Sequence, residues 1–301
     1  MFRKIFVGYD GSDQCKDALA LARLLAAPSG GAVIAVCVYP YEPVLSKGGG
    51  SDNEYHDALR REAVGILEEA EGATERRTVP SGSPSRALQE LAENENADLA
   101  VVGSTHRGAV GKVLIGSVGE RLLHGAHCPV AVAPKGFADA KDPSLRRLAV
   151  GFDGSPEAKR ALELATRLAG EVSGSIHLYW TVEPPGATSP VFAGDYGWPA
   201  YSEKVYNAAH DQLDEAVANL PAELEPQGDV LSGKAAPTLA AEVVDEADLL
   251  VVGSRGYGSV RGVILGRVSA ELARSAPCPL LVVPRGAAVP DEPEKASLAA
   301  T

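Results

Sequence analysis

The sequence lacks long hydrophobic runs and any excess of positive charge. Its longest apolar segments are far shorter than the roughly 20 residues that a transmembrane helix needs. Its 40 acidic residues outnumber the 28 basic ones, which gives a net charge of −12 and excludes a general electrostatic footprint for nucleic acid or an anionic membrane. We therefore expect a soluble cytoplasmic protein whose partners include neither.

Cysteine is also scarce, and nothing in its spacing suggests a metal or redox motif. The four cysteines form no C-x-x-C pair, so small buried apolar side chains are the favoured interpretation. His124 and His127 lie three residues apart, but they have no cysteine or carboxylate partner at ligand spacing, and we predict no metal site. The cysteines are Cys15, Cys37, Cys128 and Cys278.

The chain contains two copies of one pattern. The repeated segments are VGYDGS (7–12) and VGFDGS (150–155), ADLAVVGS (97–104) and ADLLVVGS (247–254), and CPVAVAP (128–134) and CPLLVVP (278–284). A length of 301 residues fits two ordinary domains, since single cores rarely exceed about 250 residues. Two tandem domains explain the repeat better than a solenoid, whose units are shorter and more numerous.

Within each copy, short apolar segments alternate with helical patterns. Five predicted strands and four intervening helices indicate an α/β fold with a parallel sheet covered on both faces. We assign the first domain to residues 1–136, a linker to 137–144 and the second domain to 145–286. The tail from 287 to 301 is rich in small, proline and acidic residues and is predicted to be disordered.

An aspartate follows the first predicted strand of each copy. Ligands of open parallel α/β sheets bind beyond the carboxyl ends of the strands, which is where Asp10 and Asp153 are expected to lie. An aspartate there can also cap the next helix. Ser12 and Ser155 are the better N-caps, so a ligand role for the aspartates and a role in the turn both remain open.

A glycine-rich segment follows the fourth strand of each copy, at 103–118 and 253–268. Glycines let backbone N–H groups approach a phosphate, and the N-terminus of the following helix favours negative charge. The segments contain no G-x-x-x-x-G-K-[ST] motif, so neither is a Walker-type loop. A purely structural loop is the alternative for either segment alone, but its occurrence after matching strands favours phosphate binding.

Together these motifs resemble the universal stress protein family, as two domains in tandem. The resemblance implies a Rossmann-like fold of the adenine nucleotide alpha hydrolase type, with strand order 3-2-1-4-5 and domains paired through their last strands. A homodimer of tandem chains is also compatible with it. Many members bind ATP through a G-x2-G-x9-G-[ST] loop with an aspartate near the adenosine, and others bind no nucleotide.

The resemblance implies a set of nucleotide-binding residues in each half. The first set is Asp10, Val38, Gly103, His106, Gly108, Gly116, Ser117 and Val118, and the second is Asp153, Thr181, Gly253, Gly256, Gly266, Arg267 and Val268. Each half departs from the motif, because His106 replaces the second glycine and Arg267 replaces the Ser/Thr. We expect binding in at least one half and place the first half slightly ahead, because its closing Gly116-Ser117 is intact.

The sequence leaves three functions open. The favoured one is an ATP-binding regulatory protein of the stress response, with Mg²⁺ as an optional companion of the nucleotide. A nucleotide-free interaction scaffold is the second, and an enzyme acting on phosphate or adenylate is the third. Turnover that disappears in an Asp10 or Ser117 variant would indicate the enzyme. No catalytic residue is assigned, because neither glycine-rich segment contains a carboxylate to act as a base.

The histidine in the first loop provides a test. Replacing His106 with glycine restores a residue that tolerates any backbone conformation, so we expect nucleotide binding to persist. Thermal shift with ATP and Mg²⁺ measures this, and loss of all binding in His106→Gly would contradict the expectation.

Overall fold

The computed structural model describes residues 1–41, 51–105, 109–184, 197–254, 266–285 and 287. The first half contains β1 (Lys4–Gly8), α1 (Asp13–Ala26), β2 (Ala32–Tyr39), α2 (Ser51–Glu68), β3 (Glu75–Pro80), α3 (Pro84–Asn94), β4 (Leu99–Gly103), α4 (Ser117–Gly125) and β5 (Val130–Ala133). The second half contains β6 (Arg147–Gly151), α5 (Pro156–Val172), β7 (Ser175–Val182), α6 (Gly197–Ala218), β8 (Gln227–Ser232), α7 (Ala235–Glu242), β9 (Leu249–Gly253), α8 (Arg267–Leu272) and β10 (Leu280–Val283). The α/β fold predicted from the sequence is confirmed.

All ten strands form one sheet, in the order β3-β2-β1-β4-β5-β10-β9-β6-β7-β8. The strands of each half are parallel to one another. The halves meet at β5 and β10, which pair antiparallel with Ala131 opposite Leu281. Because that pairing is antiparallel, the carboxyl ends of the first five strands and of the last five lie at opposite edges of the sheet.

Helices cover both faces of the sheet, and each face has an apolar core that continues from one half into the other. Leu25 of α1 and Leu168 of α5 are buried in one core, whereas Leu122 of α4 and Leu272 of α8 are buried in the other. The strands between them are apolar on both faces, as in β10, whose four residues are all buried. Within the described ranges, no helix has the length and apolar character needed to cross a membrane.

The four cysteines are free and buried, which confirms their interpretation as small apolar side chains. Burial raises the pKa of the Cys128 thiol to about 12 and that of the Cys278 thiol to about 12. These thiols are therefore protonated at neutral pH, and the thiolate needed for reactivity is absent.

The segment predicted to be a linker is anchored to the first half. It begins with a one-turn 3-10 helix, Phe137–Asp139, beside α1. The backbone N–H groups of Gly136 and Ala138 each donate to the carboxylate of Asp17 at 2.8 Å. Asp17 is buried, and burial raises its pKa. Of the predicted tail, 287–301, only Ala287 lies within the described residues.

Replacing Asp17 with alanine should destabilise the protein. The change leaves two backbone donors without their acceptor, and we expect the free energy of unfolding to fall by about 2 kcal/mol, as measured by chemical denaturation. Asp13 lies exposed on the same helix and is the matched control, with an expected loss below about 1 kcal/mol for Asp13→Ala. Equal losses in the two variants would contradict the anchoring role.

Candidate functional site

A cavity of about 440 Å³ opens at the carboxyl ends of β1 and β4 in the first half. Its walls come from β1, β2 and β4 and from the beginnings of α1, α3 and α4. Residues that line it are Gly8, Tyr9, Asp10, Ser12, Gln14, Cys15, Val36, Val38, Pro84, Leu88, Val102, Gly103, Ser104, Thr105, Gly116, Ser117, Val118 and Gly119. It therefore brings together six of the eight residues predicted for the first half. The other two, His106 and Gly108, lie outside the described residues.

Asp10 shapes the turn that leads from β1 into α1. Gly11 has a φ of +82°, the left-handed region that glycine favours. Ser12 caps α1, and its backbone N–H and its hydroxyl donate to Asp10 Oδ1 at 3.1 and 2.6 Å. Of the two roles that the sequence left open for Asp10, the structure therefore shows the one in the turn. Asp10 is nevertheless exposed, and these bonds use one carboxylate oxygen.

Gly103, at the end of β4, has a packing role as well as a place in the cavity. A Cβ at this position would lie 1.9 Å from the backbone carbonyl oxygen of Gln14 in α1. Gly253 of β9 is similar, with the carbonyl oxygen of Glu157 in α5 at 2.6 Å from its would-be Cβ. Close approach of a helix to the strand end therefore explains both glycines without any ligand.

The N-terminus of α4 lies at the first cavity. The helix has nine residues, and its N-cap is Gly116, which has no side chain to accept from the first-turn N–H groups. Unsatisfied N–H groups at a helix start carry partial positive charge and attract anions. Ser117 and Val118, the first two helical residues, line the cavity.

The glycine-rich segment folds back on itself before α4 begins. Ser104 and Ile115 form an antiparallel bridge. The Thr105 N–H donates to the Leu114 carbonyl at 2.6 Å, and the Leu114 N–H donates to Ser104 Oγ at 3.1 Å. These bonds hold the two ends of the segment together at the edge of the cavity.

A second cavity, of about 380 Å³, occupies the corresponding place in the second half. Of the residues predicted there, Asp153, Thr181, Gly253, Gly266, Arg267 and Val268 line it. Gly256 lies outside the described residues. Asp153 accepts the Ser155 N–H through Oδ1 at 3.1 Å, so this aspartate also has a turn role.

Charged pairs in the second cavity were missed by the sequence argument. Arg267 is the first residue of α8, where the helix dipole disfavours a cation. Its guanidinium lies 3.2 Å from the carboxylate of Glu183, which follows β7 and offsets this effect. Glu157 adds a further carboxylate to the cavity and lies 3.4 Å from Arg285. The partners of each pair lie far apart in the sequence, so only the fold brings them together.

The two cavities also differ in the side chains that line them next to the aspartate and at the beginning of the following helix. Tyr9 and Cys15 in the first correspond to Phe152 and Ala158 in the second. Burial raises the pKa of Tyr9 to about 12, and its hydroxyl has no hydrogen-bond partner among the described residues. Tyr9 lies next to Asp10 in VGYDGS, where the second repeat has phenylalanine in VGFDGS. Comparing the two repeats would therefore have identified Tyr9 as a difference between the two sites.

In the part of the chain that the structure describes, no group of three or more His, Cys, Asp and Glu side chains could hold a metal ion.

Comparison with known proteins agrees with the repeat. The model of the Universal stress protein family matches residues 1–134 and again 144–284. The chain belongs to the universal stress protein family. Its tandem arrangement accounts for the duplicated motifs.

Known relatives, one of similar length and one about half as long, support this assignment. A universal stress protein of Mycobacterium tuberculosis is 31% identical over 234 residues, which are 73% of this chain and 74% of the relative. A universal stress protein of Thermus aquaticus is 35% identical over 137 residues, 43% of this chain and 97% of the relative. The crystal structure of a universal stress protein from Archaeoglobus fulgidus has the same fold, with a TM-score of 0.63 and 22% identity, and the match covers 94% of this chain and 98% of that one.

The packing role of Gly103 is testable. In Gly103→Ala the new methyl group meets the Gln14 carbonyl, and we expect the free energy of unfolding to fall by about 1–3 kcal/mol in chemical denaturation. Gly170, inside α5, is the matched control because a Cβ there has nothing within 4 Å. Gly170→Ala should stabilise the protein by about 0.5–1 kcal/mol. If Gly103→Ala were neutral, the close approach of α1 would not be what requires glycine.

Proposed function

We propose that this universal stress protein binds an adenine nucleotide, ATP, in the first cavity and serves as a regulatory protein whose state depends on occupancy. One observation carries the proposal: the uncapped N-terminus of α4 and the exposed carboxylate of Asp10 line the same cavity of about 440 Å³. The first is suited to phosphate, and the second accepts hydrogen bonds from hydroxyl groups.

Each part of the cavity suits one part of the nucleotide. The N–H groups at Ser117 and Val118 would receive the phosphates, and the Asp10 oxygen left over from the turn would accept from a ribose hydroxyl. Val38 and Val36 line the cavity from β2 and offer an apolar surface to the base. Mg²⁺ would be held by the phosphates of the nucleotide and not by carboxylates of the protein.

The first half is the better candidate for binding because of charge. In the second cavity Arg267 already pairs with Glu183, and Glu157 contributes another carboxylate. The first cavity has Gln14 where the second has Glu157, and among its described lining residues Asp10 is the carboxylate. A triphosphate carries several negative charges, so added carboxylates weaken its binding. We therefore expect one ATP per chain.

Binding rather than hydrolysis is the proposed activity. Hydrolysis needs a base or a metal-held water positioned at the terminal phosphate. Among the described lining residues of the first cavity, the carboxylate is that of Asp10, and it already accepts two hydrogen bonds from Ser12. Occupancy would instead stabilise the folded state by mass action and change the surface that partners meet.

We further propose that the two halves function as an intramolecular pair through β5 and β10. This pairing leaves association of two chains as a separate matter, which light scattering with and without ATP would measure.

A nucleotide-free scaffold is the second candidate function. The ion pair between Arg267 and Glu183 favours it for the second half, because it sets a carboxylate beside the first residue of α8. If the first half had lost binding as well, the protein would work through its surface alone.

Nucleotide content tests the proposal directly. Freshly purified protein is denatured, and the released nucleotide is quantified by chromatography against protein concentration. We expect about one ATP per chain. Ser117→Glu should abolish it, because a carboxylate at the start of α4 repels phosphate while remaining favourable for the exposed helix end.

Ala222→Glu adds the same charge on an exposed turn of the second half and is the control. It should leave the nucleotide content unchanged. Absence of nucleotide from the unaltered protein, together with no thermal shift on adding ATP and Mg²⁺, would reject the proposal in favour of the scaffold.

A further inference from the structure

The segment that directly precedes α4 in the first half, Val113 to Ile115, is held from both sides. Val113 and Ile115 donate their backbone N–H groups to the carbonyls of Ala276 and Ala273 in the second half, at 2.7 and 2.8 Å. Between them, Leu114 bonds back to its own half, to Ser104 and Thr105. The three residues thus form an extended segment whose successive amides point alternately to the two halves.

Burial makes the bonds to the second half obligatory. Val113, Ile115, Ala273 and Ala276 all belong to the same apolar core, and their exposed fractions are 0%, 8%, 0% and 0%. A buried N–H group without an acceptor is strongly unfavourable, so these two amides need the carbonyls of the second half. The position of the segment is therefore set by the turn that follows α8.

That position determines where α4 begins. Ile115 directly precedes Gly116 and Ser117, the cap and first residue of α4, which line the first cavity. One turn further along α4, Glu120 forms an ion pair with Arg274 in the turn after α8. The phosphate end of the cavity is thus fixed relative to the second half at three points.

The opposite end of α8 reaches the second cavity. Arg267 and Val268 begin the helix and line that cavity, whereas Ala273 and Ala276 lie beyond its end. A six-residue helix is about 9 Å long, and the two cavities open at opposite edges of the sheet. One short helix therefore reaches from the second cavity to the turn that contacts the segment preceding α4.

We propose that the end of α8 in the second half is the positioning element for the phosphate end of the first cavity, with Arg274 as its positioning side chain. The proposal rests on the function proposed above, in that the ligand measured is ATP. It makes the affinity of the first cavity for ATP depend on contacts made by the second half. A shift of α8 caused by a change in the second cavity would then alter that affinity.

Charge reversal at Arg274 tests the proposal in the full chain. In Arg274→Glu the new carboxylate faces Glu120 and pushes the two helix ends apart. We expect the Kd for ATP with Mg²⁺, measured by calorimetry, to rise about threefold to tenfold. We also expect hydrogen exchange of the Val113 and Ile115 amides to accelerate in the protein without nucleotide. Arg274→Lys keeps the ion pair and should retain both unaltered values.

Arg167→Glu is the matched control. It makes the same charge change in the same half and also creates two neighbouring carboxylates, because Arg167 pairs with Glu163 on α5. It should leave the Kd and the exchange of Val113 and Ile115 unchanged. Accelerated exchange throughout the chain in Arg274→Glu would mark general destabilisation and overturn the proposal.

The two readouts separate this inference from the proposed function. If the unaltered protein binds ATP and Arg274→Glu changes neither Kd nor local exchange, the positioning role is wrong and the nucleotide site stands. If the unaltered protein binds no ATP, the proposed function fails. The exchange of Val113 and Ile115 then decides whether the end of α8 positions the segment.

Discussion

The antiparallel pairing of β5 with β10 is the constraint on which the rest of the structure depends. It joins two five-stranded parallel sheets into one and buries strands that would otherwise be the exposed edges of each half. All four residues of each strand are buried, so the junction is as apolar as the interior of either half. The two apolar cores run across it without interruption, which makes the halves one folding unit in packing as well as in hydrogen bonding.

The direction of that pairing has a consequence for the cavities. Because β5 and β10 are antiparallel, the amino end of β10 lies beside the carboxyl end of β5. The turn that leads from α8 into β10 therefore lies near the segment that precedes α4. Contacts from Ala273 and Ala276 to that segment follow from the strand arrangement alone, and a parallel pairing of the halves would have placed this turn at the other edge of the sheet.

The sequence was sufficient for the α/β fold and for most of the residues that gather at the cavities. Repeated strands, an aspartate after β1 and glycines after β4 are local patterns, and parallel topology sends their ends to one edge. It was insufficient where a residue acts through a distant neighbour. The need for glycine at 103 comes from the Gln14 carbonyl, and the cation Arg267 is acceptable because of Glu183. The sequence pattern predicts neither contact, because each depends on how elements that are distant in the sequence pack together.

Joining two copies in one chain allows the halves to diverge in a way that an identical pair cannot. Some residues that differ between the halves face a cavity: Gln14 corresponds to Glu157, and Ser117 corresponds to Arg267. The residues that stayed alike carry the packing, as Gly103 and Gly253 do where a helix crosses the strand end. The junction of β5 with β10 and the two shared cores require each half to keep its sheet, whereas the residues around a cavity are free of that requirement. Divergence around one cavity is then compatible with full retention of that half's fold, because the other half packs against it.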